Sequence, residues 1–306
     1  MNIHFDLSKE NFDLLEQIES RHEARWISEF VQKKSLNDPS LSKSLENEIC
    51  LRRFKGEPLA YILGEWPFAE ADFAVGPGAL IPRPETEELA YWISDWVNEK
   101  RVSSRPPLVS SETGIFKVAD FGAGTGCLGL GICRLIELNF QNKMPTNFEI
   151  ELHLVEKSSA SQNWLIENVS RFQGLLKKTR VHVHASDWND LPALPSLDVL
   201  VSNPPYLSTH EWENIEPGVR DFEPVTSLLP HGTTGLSPLK CYEEIMNWVN
   251  KSQLKQPRLI AFEGGPSQGP DLLQRLSQLT KEPKKVFSVQ DMAGKPRFYF
   301  VERGEE

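Results

Sequence analysis

Asn203, Pro204, Pro205 and Tyr206 follow the apolar run D-V-L-V-S at 198–202, and together their types can hold one planar NH2 group. Consecutive prolines remove two backbone donors and stiffen the turn. The Asn203 side-chain oxygen and the Pro204 carbonyl can then accept both hydrogens of an amide or amine nitrogen. The Tyr206 ring can stack against that plane and exclude water. A second constellation is the turn D-F-G-A-G-T-G, Asp120 to Gly126, set between two apolar runs. Its glycines let a ligand approach the backbone closely, and a helix starting there presents unpaired N–H groups. Glu156 ends the next apolar run, where an acid can accept hydrogen bonds from both ribose hydroxyls of a nucleoside. No G-K-[ST] follows the glycines, which excludes a Walker loop. Gly124, Gly126 and Gly129 keep a G-x-G-x-x-G spacing that leaves a dinucleotide open. A glycine turn without Lys or Arg also suits a nucleoside cofactor that carries no phosphate, such as S-adenosylmethionine.

These residues need a frame. From Phe116 onward the pattern alternates strand and helix: strands at 116–121, 149–155, 181–185, 198–202 and 258–263, and helices to about 138 and at 159–172, 238–250 and 270–280. Two further strands close the chain around a turn at Gly294. Such alternation predicts a mostly parallel sheet covered on both faces, with the glycine turn and Asn203 at the carboxyl ends of its strands. Ahead of it a helix starts at Pro84, with Leu89, Trp92, Ile93, Trp96 and Val97 on one face and Glu85, Glu87 and Glu88 near its positive end. Residues 101–114 and 207–235 read as loops. Residues 1–63 carry apolar residues at helical spacing, among them Leu14, Leu15 and Ile18, then Trp26, Ile27 and Phe30. The division expected is a helical domain at 1–63, a hairpin-like linker at 64–83 and the α/β domain at 84–306.

The chain has 306 residues and a net charge of −10, which argues against broad nucleic-acid binding, since that runs on Lys and Arg neutralising phosphates. None of its four cysteines forms a C-x-x-C pair, so a zinc ribbon or thioredoxin-type site has no support. Scattered cysteines, no secretory leader pattern and no long apolar run predict a cytoplasmic protein without a membrane segment. His182 and His184 share one face of a strand, with Asp187 the nearby acid. Ordinary strand residues are the better reading there, and no metal is expected. Cys127 and Cys133 read as packing residues.

N-P-P-Y with a G-x-G-T-G turn resembles class I, S-adenosylmethionine-dependent methyltransferases acting on nitrogen. G-E-P-L-A-Y-I-L-G (56–64), L-I-P-R-P-E-T-E (80–87), S-D-W (186–188), F-E-P-V-T-S-L (222–228) and E-G-G-P-S-Q-G (263–269) resemble signatures of the HemK/PrmC family. Those enzymes methylate the glutamine nitrogen in the Gly-Gly-Gln motif of class-1 peptide-chain release factors. The resemblance, which runs from about residue 52 to the end, implies a Rossmann-like seven-stranded sheet with a small N-terminal helical domain. It also implies S-adenosylmethionine as cofactor and a release factor as partner, with no nucleic acid or membrane partner; the enzyme is expected to be a monomer. By position it places the cofactor on Gly122, Ala123, Gly124, Thr125 and Gly126, with Glu156 on the ribose, Trp188 beside the adenine and Asp187 near its amino group. Asn203 would touch cofactor and substrate, and Asn203, Pro204, Pro205 and Tyr206 would hold the glutamine amide. Asn203, Pro204 and Tyr206 are the residues expected to carry catalysis. Phe121 and Ala123 stand where the family often has Leu and Thr, and Glu156 where it more often has Asp. The alternatives are a ribosomal-protein glutamine as substrate, an exocyclic base amine in a nucleic acid, and a silent binding module of the same fold.

Overall fold

The computed structural model describes residues 21–36, 38, 40–103, 114–139, 148–251, 256–279 and 284–303. Leu14, Leu15, Ile18 and most of the loop expected at 101–114 lie outside them.

Among the described residues the helices α1 (Arg21–Ser35), α2 (Leu41–Phe54) and α3 (Leu59–Leu63) precede the first strand. Ile27, Val31, Ile49 and Cys50 of α1 and α2 form a small core with Leu59 and Ile62 of α3. The other face of α3, Ala60 and Tyr61, packs with Val75 and Ile81 instead. The Tyr61 hydroxyl donates to the Ala79 carbonyl at 2.5 Å. Helix α3 is therefore shared between two clusters. Gly64 ends it in the left-handed region (φ 72), as glycine does at helix ends.

Strands β1 (Glu65–Phe68) and β2 (Ala71–Ala74) form an antiparallel hairpin. Its turn puts Ala69 (φ 48) and Glu70 (φ 60) in the left-handed region, the geometry that matches strand twist in two-residue hairpins. Phe68, Ala69 and Phe73 belong to the largest core. The fully buried Asn168 holds the hairpin in place: its Oδ1 accepts the Ala74 N–H at 2.7 Å, and its Nδ2 donates to the carbonyls of Ala74 and Thr125, each at 2.9 Å.

Helix α4 (Pro84–Ser103) precedes β3 (Ile115–Phe121), α5 (Cys127–Asn139), β4 (Glu149–Val155), α6 (Ser159–Phe172), β5 (Thr179–His184) and β6 (Val199–Ser202). Short helices α7 (Thr209–Glu213) and α8 (Pro217–Arg220) follow, then α9 (Lys240–Lys251), β7 (Leu259–Glu263), α10 (Gly269–Leu279), β8 (Lys284–Gln290) and β9 (Pro296–Arg303). The seven-stranded sheet has the order β5-β4-β3-β6-β7-β9-β8, with β9 antiparallel to both neighbours and the other pairs parallel.

The sheet is apolar on both faces because alternate residues of each strand feed different cores. Phe116 and Val118 pack with Leu89 and Ile93 of α4, Leu130 and Ile132 of α5 and Leu165 of α6. Ala119 and Phe121 pack with Tyr242, Ile245 and Met246 of α9 and Leu272 and Leu276 of α10. Among the described residues no helix is long and apolar enough to cross a membrane. All four cysteines are free; Cys133 is buried in the largest core and Cys127 packs partly buried against it.

The 207–235 stretch, expected as a loop, contains α7, α8 and two 3-10 turns at Val225–Ser227 and Pro230–Gly232. A capping box between Ser208 and Glu211 starts α7, and Pro217 starts α8. His182 and His184 do share a face. The acid opposite them is Glu151 of β4, 3.2 Å from His182, whereas Asp187 pairs with Lys157 at 3.1 Å.

Candidate functional site

The chain runs from β3 to β4 on one side and reaches β6 on the other, so the sheet order reverses between β3 and β6. Ligands of open α/β sheets bind beyond the strand ends at such a point. The glycine turn leaves β3 there, Glu156 ends β4, and Asn203 leaves β6. Together they line one open cleft, the kind of concave place where small-molecule sites form.

The turn is built on left-handed backbone at Gly122 (φ 74), Gly124 (φ 58) and Gly126 (φ 82), which side chains with a Cβ adopt at a cost. The N–H groups of Gly122 and Ala123 donate to the Val155 carbonyl at 2.9 and 3.0 Å, stitching the turn to the end of β4. Glu156 is 8% exposed, and its two carboxylate oxygens accept the N–H groups of Gly124 at 2.8 Å and Ser158 at 2.7 Å. Burial raises its pKa, and these donors oppose the rise. Each oxygen keeps a further lone pair for a hydroxyl donor. Asp120 is buried beneath the turn; burial pushes its carboxyl up to about 7, although it accepts the Gly129 N–H at 2.9 Å.

Gly122, Ala123, Gly124, Thr125, Glu156, Trp188, Asn203 and Pro205 all line the cleft. Trp188 lies against Gly122, where a Cβ would stand 3.4 Å from the indole ring. Its Nε1 donates to Glu244 at 3.2 Å, and Lys157 Nζ lies 5.6 Å from its ring centre. Gly126, Asp187, Pro204 and Tyr206 stand apart from that lining. Gly126 packs against Leu165 and Leu130. The Asp187 carboxylate turns to Lys157 and to the Asn189 N–H. Pro204 is buried. Tyr206 borders a second pocket of about 310 Å³ that shares Leu80, Arg83, Asn203 and Ser227 with the first and adds Glu263 and Leu228.

Two residues missed by the reading of the sequence complete this corner. Asn203 Nδ2 donates to Thr86 Oγ1 at 3.0 Å, and Thr86 Oγ1 donates to Glu263 Oε2 at 2.6 Å. The Tyr206 hydroxyl donates to Glu263 Oε1 at 3.3 Å. Glu263 is 1% exposed, and burial pushes its carboxyl up to about 7, opposed by the Thr86 donor and by Arg297. Gln268 Nε2 donates to the Tyr206 carbonyl, which holds the N-P-P-Y turn from the other side. The segment 80–83 that roofs both pockets is tied down by Glu223, which accepts the Ile81 N–H at 3.0 Å and pairs with Arg83 at 2.6 Å. Glu263 ends an all-apolar strand, the same signal that singles out Glu156. Thr86 lies within the L-I-P-R-P-E-T-E run (80–87) already noted for its resemblance, but that run assigned it no role.

The donor set fits a nucleoside carrying a cation better than one carrying phosphates. Asp120 and Glu156 lie at the glycine turn, which bears no Lys or Arg, and the cations of the cleft lining, Arg83 and Lys157, are paired with Glu223 and Asp187.

No protein-family model matches the chain. The chain is 31% identical over 259 residues to a release factor glutamine methyltransferase of Nitratidesulfovibrio vulgaris, covering 85% of this chain and 77% of that one. It is 28% identical over 279 residues to the MTRF1L release factor glutamine methyltransferase of Homo sapiens (87% and 73% covered). It is 30% identical over 243 residues to a release factor glutamine methyltransferase of Bacillus subtilis (79% and 74% covered). Among solved structures it is similar to the catalytic domain of hMettl16 in complex with an RNA hairpin, with a TM-score of 0.51 and 13% identity over 88% of this chain and 83% of that one. That likeness is one of fold, the class I methyltransferase sheet.

Proposed function

Because this chain belongs to the family of release factor glutamine methyltransferases, we propose that it transfers the methyl group of S-adenosylmethionine to the side-chain nitrogen (N5) of the glutamine in the Gly-Gly-Gln motif of class-1 release factors. The observation that carries this reading is the meeting, in one cleft, of a glycine turn backed by Glu156 with Asn203 and Pro205 of the N-P-P-Y turn.

Gly122 to Thr125 would hold the cofactor through the backbone, Glu156 its ribose hydroxyls, and Trp188 the adenine side of the cleft. Gly126 and Asp187 support the turn and Lys157 in place of direct contacts. Bound there, S-adenosylmethionine supplies a sulfonium methyl group, an electrophile that needs no further activation. The protein's task lies with the nucleophile. An amide nitrogen is poor because its lone pair is delocalised into the carbonyl. Asn203 Oδ1 and the Pro204 carbonyl accept its two hydrogens, which raises electron density on nitrogen and fixes its direction. The Tyr206 ring, Leu80 and Leu228 wall the smaller pocket and keep water from the amide. Holding the nitrogen in line with the methyl group supplies a proximity effect of up to roughly 7–11 kcal/mol in ideal systems. No strong base is required, because the proton is lost after transfer.

On this reading helices α1 to α3 meet the release factor, and the enzyme works in the cytoplasm as a monomer. The charge of −10 favours a protein substrate over nucleic acid. The test is mass spectrometry of a purified, unmethylated release factor incubated with the protein and S-adenosylmethionine. A single methyl group mapped to the Gly-Gly-Gln glutamine is expected. Demonstrated cofactor binding with no methyl group there would overturn the substrate and turn attention to ribosomal proteins.

A further inference from the structure

An asparagine can serve the glutamine amide only if its own amide faces the right way. Flipped by half a turn, it presents NH2 where an acceptor is needed. The polar chain behind Asn203 decides between the two. In its ionised form the buried Glu263 offers acceptors only. Thr86 must therefore spend its one hydroxyl hydrogen on Glu263 Oε2, at 2.6 Å, and offer a lone pair to its other neighbour, Asn203, at 3.0 Å. Only the Asn203 NH2 can answer a lone pair. We propose that Thr86 and Glu263 are positioning residues that lock the Asn203 amide with Oδ1 toward the substrate, Glu263 fixing Tyr206 through its second oxygen.

The placement deepens the glutamine-methylation reading and rests on it. Glu263 borders the smaller pocket, between Asn203 and Tyr206, and touches both by way of hydroxyl groups. A protonated Glu263 reverses the relay: its OH donates to Thr86, Thr86 donates to Asn203 Oδ1, and the substrate loses its acceptor. Other charged or titratable groups facing Glu263 are Arg297 of β9, Glu85 of α4, Tyr206, Tyr242 of α9 and Cys127 of α5. Arg297 favours its ionised form, Glu85 opposes it, and burial holds its carboxyl near 7. The ionised form of Glu263 is the one that fixes the relay in this direction.

The experiment compares wild type, Thr86→Ser, Thr86→Val and Glu263→Gln in steady-state methylation of a release factor, with S-adenosylmethionine affinity and melting temperature measured for each. Valine matches threonine in shape and lacks the hydroxyl. Expected is a fall in kcat of about tenfold or more for Thr86→Val, the scale set by losing one oriented hydrogen bond. KM for the release factor and cofactor affinity should stay within about twofold. Thr86→Ser should recover most of kcat. The wild-type kcat should fall on the acid side of neutrality, and that limb should vanish in Glu263→Gln. Thr86→Val with wild-type kcat, or an acid limb that survives in Glu263→Gln, would overturn the relay. If Thr86→Val does not fold, Thr86→Ser and the two pH profiles decide, since a merely structural threonine would leave the limb unexplained. A wild-type enzyme that binds cofactor and methylates no glutamine refutes the reaction itself, a different outcome from an active wild type with an inert relay.

Discussion

Glu156→Gln tests the cofactor side of the cleft most directly. In the folded chain each carboxylate oxygen accepts one backbone N–H, from Gly124 at 2.8 Å and Ser158 at 2.7 Å. Glutamine has the same shape but one oxygen and one NH2, so either rotamer turns NH2 against one of these donors. An unmatched buried donor costs about 1–3 kcal/mol. Part of this is returned, because burial already disfavours the charge that the substitution removes. The net loss of stability without ligand should be about 1–2 kcal/mol. Cofactor binding should suffer more. A hydrogen bond from a ribose hydroxyl to a carboxylate contributes about 1.5–3 kcal/mol, and the NH2 group cannot accept one. At 1.4 kcal/mol per decade this predicts affinity for S-adenosylmethionine weakened by about 10- to 100-fold. Calorimetric titration gives the affinity, and urea melting of the ligand-free protein gives the stability. Affinity within twofold of wild type, alongside a shifted melt, would mean that Glu156 only braces the glycine turn.

Asn203→Ala should lower kcat by about 100-fold or more, the scale of removing one pre-aligned hydrogen-bonding group at a reacting centre, while the melting temperature changes little; near-wild-type turnover would refute the role given to its amide. Asp120 and Glu263, both held near 7 by burial, keep in the folded chain a proton that the unfolded chain releases near pH 4. Their contribution to stability is present at low pH and is lost as the pH rises through 7. His153, lowered to about 4 by burial, acts in the opposite sense below its ordinary 6.5 and drops out above it. Asp120→Asn should therefore flatten the fall in melting temperature between about pH 6.5 and 8, and an unchanged slope would count against the buried charge. Gly126→Ala should cost about 2–4 kcal/mol, combining the left-handed backbone penalty with overpacking, since its Cβ would stand 2.6 Å from Leu165 Cδ1; an unshifted urea midpoint would refute it.

The α/β part was legible because each strand is an apolar run closed by a turn signal. The residues read as a strand at 149–155 and as a helix at 159–172 are those of β4 and α6. α7 and α8 were not legible, since helices of five and four residues are too short to show a period and rest on local capping. At the site, residues named by chain position near a strand end line one cleft: Gly122 to Thr125, Glu156 and Asn203. Thr86 was missed because its partners are 117 and 177 residues away. The acids around it drew notice for the helix end, yet Glu87 accepts the Ala69 N–H and Glu88 the Met292 N–H, tying loops to α4. Glu263 could have been found, because the rule that picks an acid at the end of an apolar strand for Glu156 applies to it equally. Trp188 lines the cleft, and its neighbour Asp187 pairs with Lys157, which lines it too.

The two faces of α3 bear on how this architecture could be recombined. Leu59 and Ile62 close the core of α1 and α2, while Ala60 and Tyr61 belong with Val75 and Ile81, and Asn168 pins the hairpin to the rest. α3 is a tenon common to both halves. A chimera that exchanges α1 and α2 at a joint near Gly56, and keeps α3 with a matching Leu59 and Ile62 surface, inherits the roof and rear wall of the cleft intact. A joint placed at residue 83 would carry away the hairpin and Phe73 with it. On the proposed reading that α1 and α2 meet the protein substrate, retargeting such an enzyme is a matter of replacing a head ahead of Gly56, with the transfer centre left as it stands.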